Sequence, residues 1–238
     1  MQGLIRNSPP AFGVSKRWEK WIRRNSTCLD ESPWPSPKSL GKRFFNASWF
    51  GDVSDDLMKI IKAFQKLISI YERLVEINSR NMPAENECFQ LMINQLYSLP
   101  YRVPITPLDD VICISILVYS VNRVWGNSWP CLVHVSRNLQ QKIFKCYDHL
   151  QRIAPDLLFW SLFLGGLISK GLEPHAWFLT HLKASAEHIG VQDWVQAVAV
   201  LEGFFFVCRS SDEPAREIWE SVIRFGDRRK SRTLLLEQ

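Results

Sequence analysis

The sequence has little glycine and few of the alternating apolar segments that form β-strands. It contains eleven Gly in 238 residues, beside ten Trp and fourteen Phe. A β-sandwich or β-barrel needs many short alternating strands bounded by turn residues. The composition therefore argues against both architectures, and we expect an all-α protein.

Signals for export, for a membrane span and for nucleotide binding are also missing. The first residues have no apolar core of the kind that a secretory signal contains, so we expect an intracellular protein. The longest apolar segment is shorter than the roughly 20 residues that cross a bilayer. Neither a glycine-rich phosphate loop nor a dinucleotide-binding fingerprint is present.

The six cysteines are scattered, and we expect reduced core residues instead of a disulfide framework. The nearest approach to a zinc motif is Cys131-x-x-His134 followed by Cys146-x-x-His149. Both pairs fall on one predicted helix, where about fifteen residues separate them by roughly 22 Å. That distance is too long for shared coordination, so we expect no metal and no cofactor.

Positive charge is concentrated at the two ends of the chain. Residues 1–50 contain nine Lys and Arg against three Asp and Glu, a net charge of +6, which leaves −1 for the remaining residues of a chain at +5. Basic clusters lie at Lys16-Arg17, at Arg23-Arg24 and after the last predicted helix. A possible nuclear import signal in that last cluster comprises Arg228, Arg229, Lys230 and Arg232.

The segment 153–170 is apolar on almost every side, and the rest of the chain is predicted to pack around it. Pro155 suits a first helical turn, and Asp156 places negative charge at the positive end of the helix dipole. Only Ser161 is polar between Leu157 and Ile168, so the helix has no face for water. We expect a buried central helix near 155–169, crossed by a neighbouring helix at Gly165 and Gly166.

Apolar periodicity elsewhere predicts a compact multi-helix bundle of about eight helices. The predicted spans are 54–81, 84–99, 107–124, 130–152, 155–169, 174–189, 193–208 and 214–226. Ser54 is the predicted N-cap of the first helix. We therefore expect the chain to have three parts: a basic N-terminal arm at 1–50, a helical domain at 51–226, and a basic C-terminal tail at 227–238.

Two sets of residues are candidates for chemistry. Asp109-Asp110-Val-Ile-Cys113 is similar to the aspartate-rich metal motif of all-α terpene cyclases, but cysteine occupies the position of the last aspartate. The three histidines His175, His181 and His188 share a predicted helix, without the partners of an evident catalytic triad. An isoprenoid-type enzyme is therefore kept as an alternative only.

An ordered series of apolar and aromatic residues runs through the second half of the chain. It begins with LLFWSLFLGG at 157–166, and its main positions are Leu158, Trp160, Phe163, Gly165, Gly166, Trp177, Phe178, Trp194 and Trp219. Their order resembles the C-terminal part of the regulatory region in fungal transcription factors of the binuclear zinc-cluster type. The resemblance covers about residues 155–222, with weaker helical similarity back to Ser54.

The resemblance implies an all-α region that regulates activity and mediates interactions without touching DNA. The zinc-cluster module of that family is a basic six-cysteine segment, and nothing in this sequence matches it. Many members also have tryptophan where this chain has Phe205 or Phe206, and their helical region is usually longer. We therefore expect a non-catalytic, nuclear regulatory domain without its own sequence-specific DNA binding.

The implied partners are proteins of the transcription machinery or a full-length family member, with a possible small-molecule effector. A truncated fragment without independent activity is the remaining alternative.

We expect the purified chain to contain no stoichiometric zinc, because the two Cys-x-x-His pairs are far apart along one helix. Elemental analysis measures the metal content directly. One zinc per chain that is lost in Cys146→Ser but kept in Cys208→Ser would contradict this expectation.

Overall fold

The computed structural model describes residues 40–76, 82–124, 132–208 and 213–236, and within these ranges it is helical and contains no strand. The predicted all-α fold is confirmed. A 3-10 helix covers Ser48–Asp52. The nine α-helices of the described ranges are α1 Lys42–Asn46, α2 Asp55–Glu76, α3 Met82–Arg102, α4 Pro107–Val124, α5 Leu132–Ile153, α6 Pro155–Ile168, α7 His175–Ile189, α8 Trp194–Gly203 and α9 Glu213–Leu236.

Helix α6 lies at the centre of the bundle, as its sequence predicts. Every residue from Leu157 to Ile168 is buried, and the helix packs against α4, α5, α7, α8 and α9. The single polar side chain between Leu157 and Ile168 is also satisfied, because the hydroxyl groups of Ser161 and Ser115 on α4 are 2.9 Å apart. A helix with no polar face is stable in water only when neighbours cover it on all sides.

The two central glycines let neighbouring helices approach the α6 backbone closely. A Cβ atom on Gly165 would lie 2.1 Å from the ring of Phe178 on α7. A Cβ atom on Gly166 would lie 3.3 Å from Ile218 on α9. The predicted helix crossing is therefore confirmed, and it involves two helices.

Residues 40–53, here called the strap, pack onto this bundle and include the last part of the arm predicted at 1–50. Leu40, Phe44 and Trp49 are all buried. The Phe44 ring stacks on Phe205 with centroids 4.9 Å apart and meets Trp160 on α6 edge to face at 5.6 Å. These aromatic contacts bury residues that the predicted domain division assigns to the arm at 1–50.

Two polar contacts hold the strap against the bundle. The Gly41 amide donates to the Phe204 carbonyl at 2.8 Å, and Gly41 has a φ of 71°, which favours glycine. The Arg43 guanidinium pairs with Asp156 in the first turn of α6 at 2.7 Å. Residues 1–39, the greater part of the predicted arm, lie outside the described residues.

Three helix ends differ from the sequence prediction. Helix α3 includes Pro100 and ends at Arg102. Proline lacks the amide donor of one helical hydrogen bond, and here the helix ends two residues after it. Helix α8 ends at Gly203 instead of residue 208, because the strap backbone and Phe204 meet there. Helix α9 continues through Gly226 to Leu236, so the predicted tail at 227–238 begins inside a helix.

One buried ion pair joins α2 to α4. The Glu72 side chain, 3% exposed, accepts from Arg123 Nε at 2.7 Å and from Nη2 at 2.9 Å. Arg123 also donates to the Val207 carbonyl at 3.4 Å. The pair therefore fixes the segment that follows α8 against the first long helix.

None of the described helices combines the length and the apolarity that a membrane crossing requires.

We expect Gly165→Ala to lower the free energy of unfolding by about 1–3 kcal/mol, because the added methyl overpacks a fully buried ring. Without the close contact, alanine would raise the free energy of unfolding by about 1 kcal/mol, because it favours the helix more than glycine does. A decrease therefore indicates the helix crossing. Gly51→Ala is the matched control, since a Cβ atom there meets nothing within 4 Å. Denaturant titration measures both variants, and equal stabilities would contradict the close approach.

Candidate functional site

A cavity of about 280 Å³ opens between α3, α4 and α5. Its apolar wall comes mainly from α3 and α4, with Ile93, Leu96, Ile114 and Leu117 among the lining side chains. Tyr97 and Tyr101 on α3 add aromatic rings with hydroxyl groups. Pockets with apolar walls and a few polar groups are the usual form of small-molecule sites.

The polar end of this cavity is formed by α4 and α5. Asp110, in the first turn of α4, pairs with Lys142 on α5 at 2.7 Å, and both side chains are less than one-third exposed. Asn138 lies one helical turn before Lys142 and lines the same space. Its amide makes no hydrogen bond with any residue in the described ranges.

Burial favours the neutral forms of two side chains of the wall, Tyr97 and Cys113. Burial, with a contribution from Tyr101, raises the pKa of the Tyr97 hydroxyl. Burial and the nearby carboxylates of Asp109 and Asp110 raise the pKa of the Cys113 thiol well above its usual range, and Lys142 offsets only part of this effect. Because a thiol reacts as its thiolate, Cys113 is a poor nucleophile here.

The two aspartates of the terpene-cyclase-like motif have different surroundings. Asp109 is fully buried and accepts from the backbone amides of Ser54 at 3.2 Å and Thr106 at 3.3 Å, while its own amide donates to the Thr106 hydroxyl at 3.1 Å. It thus stabilises the starts of both α2 and α4. Asp110 instead belongs to the cavity, so the motif is divided between a structural and a cavity-lining carboxylate.

The predicted capping role of Ser54 is only half correct. Helix α2 begins at the next residue, but the Ser54 hydroxyl is buried without a hydrogen-bond partner among the described residues. The backbone amide of Ser54 instead donates a hydrogen bond to the buried Asp109 carboxylate.

The histidines of α7 do not come together. His181 stacks on Trp177 with centroids 4.1 Å apart, and its Nδ1 is 2.9 Å from the Trp177 carbonyl. His175 lies beside Ser169 at 3.3 Å, and burial lowers the pKa of its imidazole. His188 is exposed near the end of the helix.

The Cys-x-x-His residues are also separated. His134 and His149 are exposed, whereas Cys146 is buried and its Sγ donates to the Lys142 carbonyl at 3.2 Å. Cys131 lies outside the described residues. In the described part of the chain, no group of three or more His, Cys, Asp or Glu side chains is placed to hold a metal ion.

The residues of the family-like motif, in contrast, form one packing unit. Leu158, Trp160, Phe163 and Trp219 are buried in it, together with Gly165, Gly166 and Phe178. Trp177 and Trp194 are partly buried against the core.

Ring contacts join the distant parts of this motif. Phe163 meets Trp194 with centroids 6.2 Å apart, and Phe159 meets Trp219 edge to face at 6.4 Å. The possible import signal, Arg228, Arg229, Lys230 and Arg232, falls within the range of α9, but its side chains lie outside the described part.

Sequence reasoning missed the cavity residues Tyr97, Asn138 and Lys142. A partial signal exists, since Asn138 and Lys142 are four residues apart and share a face of α5 beside its apolar stripe. The distance to Asp110 depends on how α4 and α5 pack, which no local pattern specifies.

Comparison of the chain with protein-family models, with curated proteins and with solved structures finds no match. Function must therefore follow from the residues and their geometry.

We expect Asp109→Ala to lower the free energy of unfolding by about 1–3 kcal/mol, because two backbone amides at helix starts lose their buried acceptor. Asp55→Ala, at the exposed start of α2, is the matched control and should change it by less than about 0.5 kcal/mol. Thermal unfolding measures the stability of both variants, in the presence and in the absence of Mg²⁺. A Mg²⁺-dependent rise in Tm that Asp109→Ala abolishes would contradict the structural role and favour a metal site.

Proposed function

We propose that this chain is a non-catalytic regulatory and interaction domain, similar to the regulatory region of fungal binuclear zinc-cluster transcription factors. It would act in the nucleus, on proteins of the transcription machinery or on a full-length family member. Its activity would respond to a small molecule bound between α3, α4 and α5.

One observation carries this proposal: the residues of the motif meet around α6. Gly165 receives the ring of Phe178, Phe163 contacts Trp194, and Phe159 contacts Trp219, although these residues span three helices beyond α6. Their contacts support the interpretation of the motif as the packing signature of one domain type.

The surroundings of the acidic residues favour regulation over an isoprenoid-type enzyme. Asp109 stabilises two helix starts, and Glu72 is held by Arg123. Asp110 is paired with Lys142. These carboxylates have structural partners, whereas a metal-dependent cyclase needs several of them on one face of its cavity.

The continuous core supports a folded domain over an inactive fragment. A single cluster of buried apolar side chains extends from Leu40 in the strap to Val222 on α9. A core that joins residues so far apart in the sequence has the packing of a folded domain.

We expect the chain to change transcription when it is fused to an unrelated DNA-binding module in fungal cells. Reporter output relative to the module alone measures the effect. Gly165→Ala, which disturbs the motif, should reduce that change, and Gly51→Ala should preserve it. A reporter that responds equally to the module alone and to the fusion would contradict the proposal.

The same chain should select no consistent DNA sequence at physiological salt, because specific readout requires side chains against base edges. Any weak binding should be salt-sensitive and should disappear when residues 1–39, which hold most of the basic N-terminal residues, are removed. A reproducible selected motif would show instead that one of the helices reads a DNA groove.

A further inference from the structure

We propose that the cavity between α3, α4 and α5 binds a small neutral molecule that has an apolar ring system and one hydroxyl or carboxamide group. The regulatory meaning of such a ligand rests on the proposed function. The binding itself rests on the shape and the polar groups of the cavity.

The size and walls of the cavity limit the body of the ligand. At about 280 Å³, it lies just below the usual range of ligand pockets, which is roughly 300–1,000 Å³. Its apolar side chains Ile93, Leu96, Ile114 and Leu117 come from two helices, and tyrosine rings extend the same wall. One or two rings, without long polar substituents, match this space.

The charges at the polar end select for a neutral ligand. Asp110 and Lys142 are 2.7 Å apart and already neutralise each other. A carboxylate or phosphate would have to compete with Asp110 for Lys142, and a cation would have to compete with Lys142 for Asp110. In a partly buried site this exchange leaves one protein charge without its partner, which is costly.

Two neutral polar groups remain to orient the ligand. The Asn138 amide can donate and accept, and it has no hydrogen-bond partner in the described ranges. The Tyr97 hydroxyl also lines the cavity without such a partner there, and its raised pKa keeps it protonated. A hydroxyl or carboxamide suits either group, because it can both donate and accept a hydrogen bond.

The Cys113 thiol gives no reason to expect covalent capture. It lines the cavity, but burial and the carboxylates of Asp109 and Asp110 hold it in the neutral form. The ligand is therefore held by non-covalent contacts and exchanges freely.

Three probes of the same shape test this inference on the purified full chain: 2-naphthol, 2-naphthoate and naphthalene. Isothermal titration calorimetry, supported by ligand-observed NMR, measures their affinities. We expect 2-naphthol to bind most tightly, naphthalene to bind about two- to tenfold more weakly, and 2-naphthoate to bind weakest.

Variants of the polar groups locate the site and test their roles. Tyr97→Phe and Asn138→Leu should each weaken 2-naphthol binding by about two- to tenfold and leave naphthalene unchanged. Tyr147→Phe on α5 is the matched control, because this ring packs against His181 away from the cavity and should affect neither probe. Ile114→Phe fills the cavity and should abolish binding of both.

Several outcomes would overturn the inference. They are no binding of 2-naphthol at millimolar concentration, tighter binding of 2-naphthoate, or 2-naphthol binding that persists in a folded Ile114→Phe chain. The measurement does not involve transcription, so a chain that binds 2-naphthol but leaves the reporter unchanged refutes the proposed function alone. A chain that changes the reporter without binding refutes the ligand class alone.

Discussion

The complete burial of α6 is the constraint on which the rest of the structure depends. Twelve consecutive residues, Leu157 to Ile168, have no access to water, so the helix needs partners on every side. Gly165 and Gly166 allow two of these partners to approach closely, and the hydroxyl pair Ser115–Ser161 satisfies the one polar side chain. Helices α4, α5, α7, α8 and α9 each cover part of this surface.

Local patterns predicted those features whose causes are local. The bounds of α6, the start of α7 after Pro174 and its end before Gly190 depend on proline, glycine and apolar periodicity, which are readable within a few residues. The packing of the strap was not predicted and the end of α8 was predicted incorrectly, because both depend on contacts between residues 40–53 and 203–206. The cavity was missed for the same reason, since its polar end joins Asp110 and Lys142 from different helices.

Helix α4 lies between the candidate site and the central helix. Cys113, Ile114 and Leu117 line the cavity, while Ser115 is bonded to Ser161 on α6. Further along, Arg123 holds Glu72 on α2 and reaches the carbonyl of Val207. A ligand beside α4 therefore touches the helix that connects α2, α6 and the segment after α8. This arrangement gives the proposed effector a direct structural route to the motif around α6, without requiring any residue of that motif to contact it.

The strap also has a consequence for the synthesis of the chain. Phe44 packs on Phe204 and Phe205, which follow it by about 160 residues. At roughly 5–20 residues per second, the ribosome needs about 8–32 s to deliver those partners after Phe44 has been made. During that interval the aromatic rings of Phe44 and Trp49 have no completed core to enter, although they end fully or almost fully buried. The nascent chain therefore exposes an apolar segment for most of its translation, and we expect this segment to be a binding site for chaperones until residue 206 has left the ribosome.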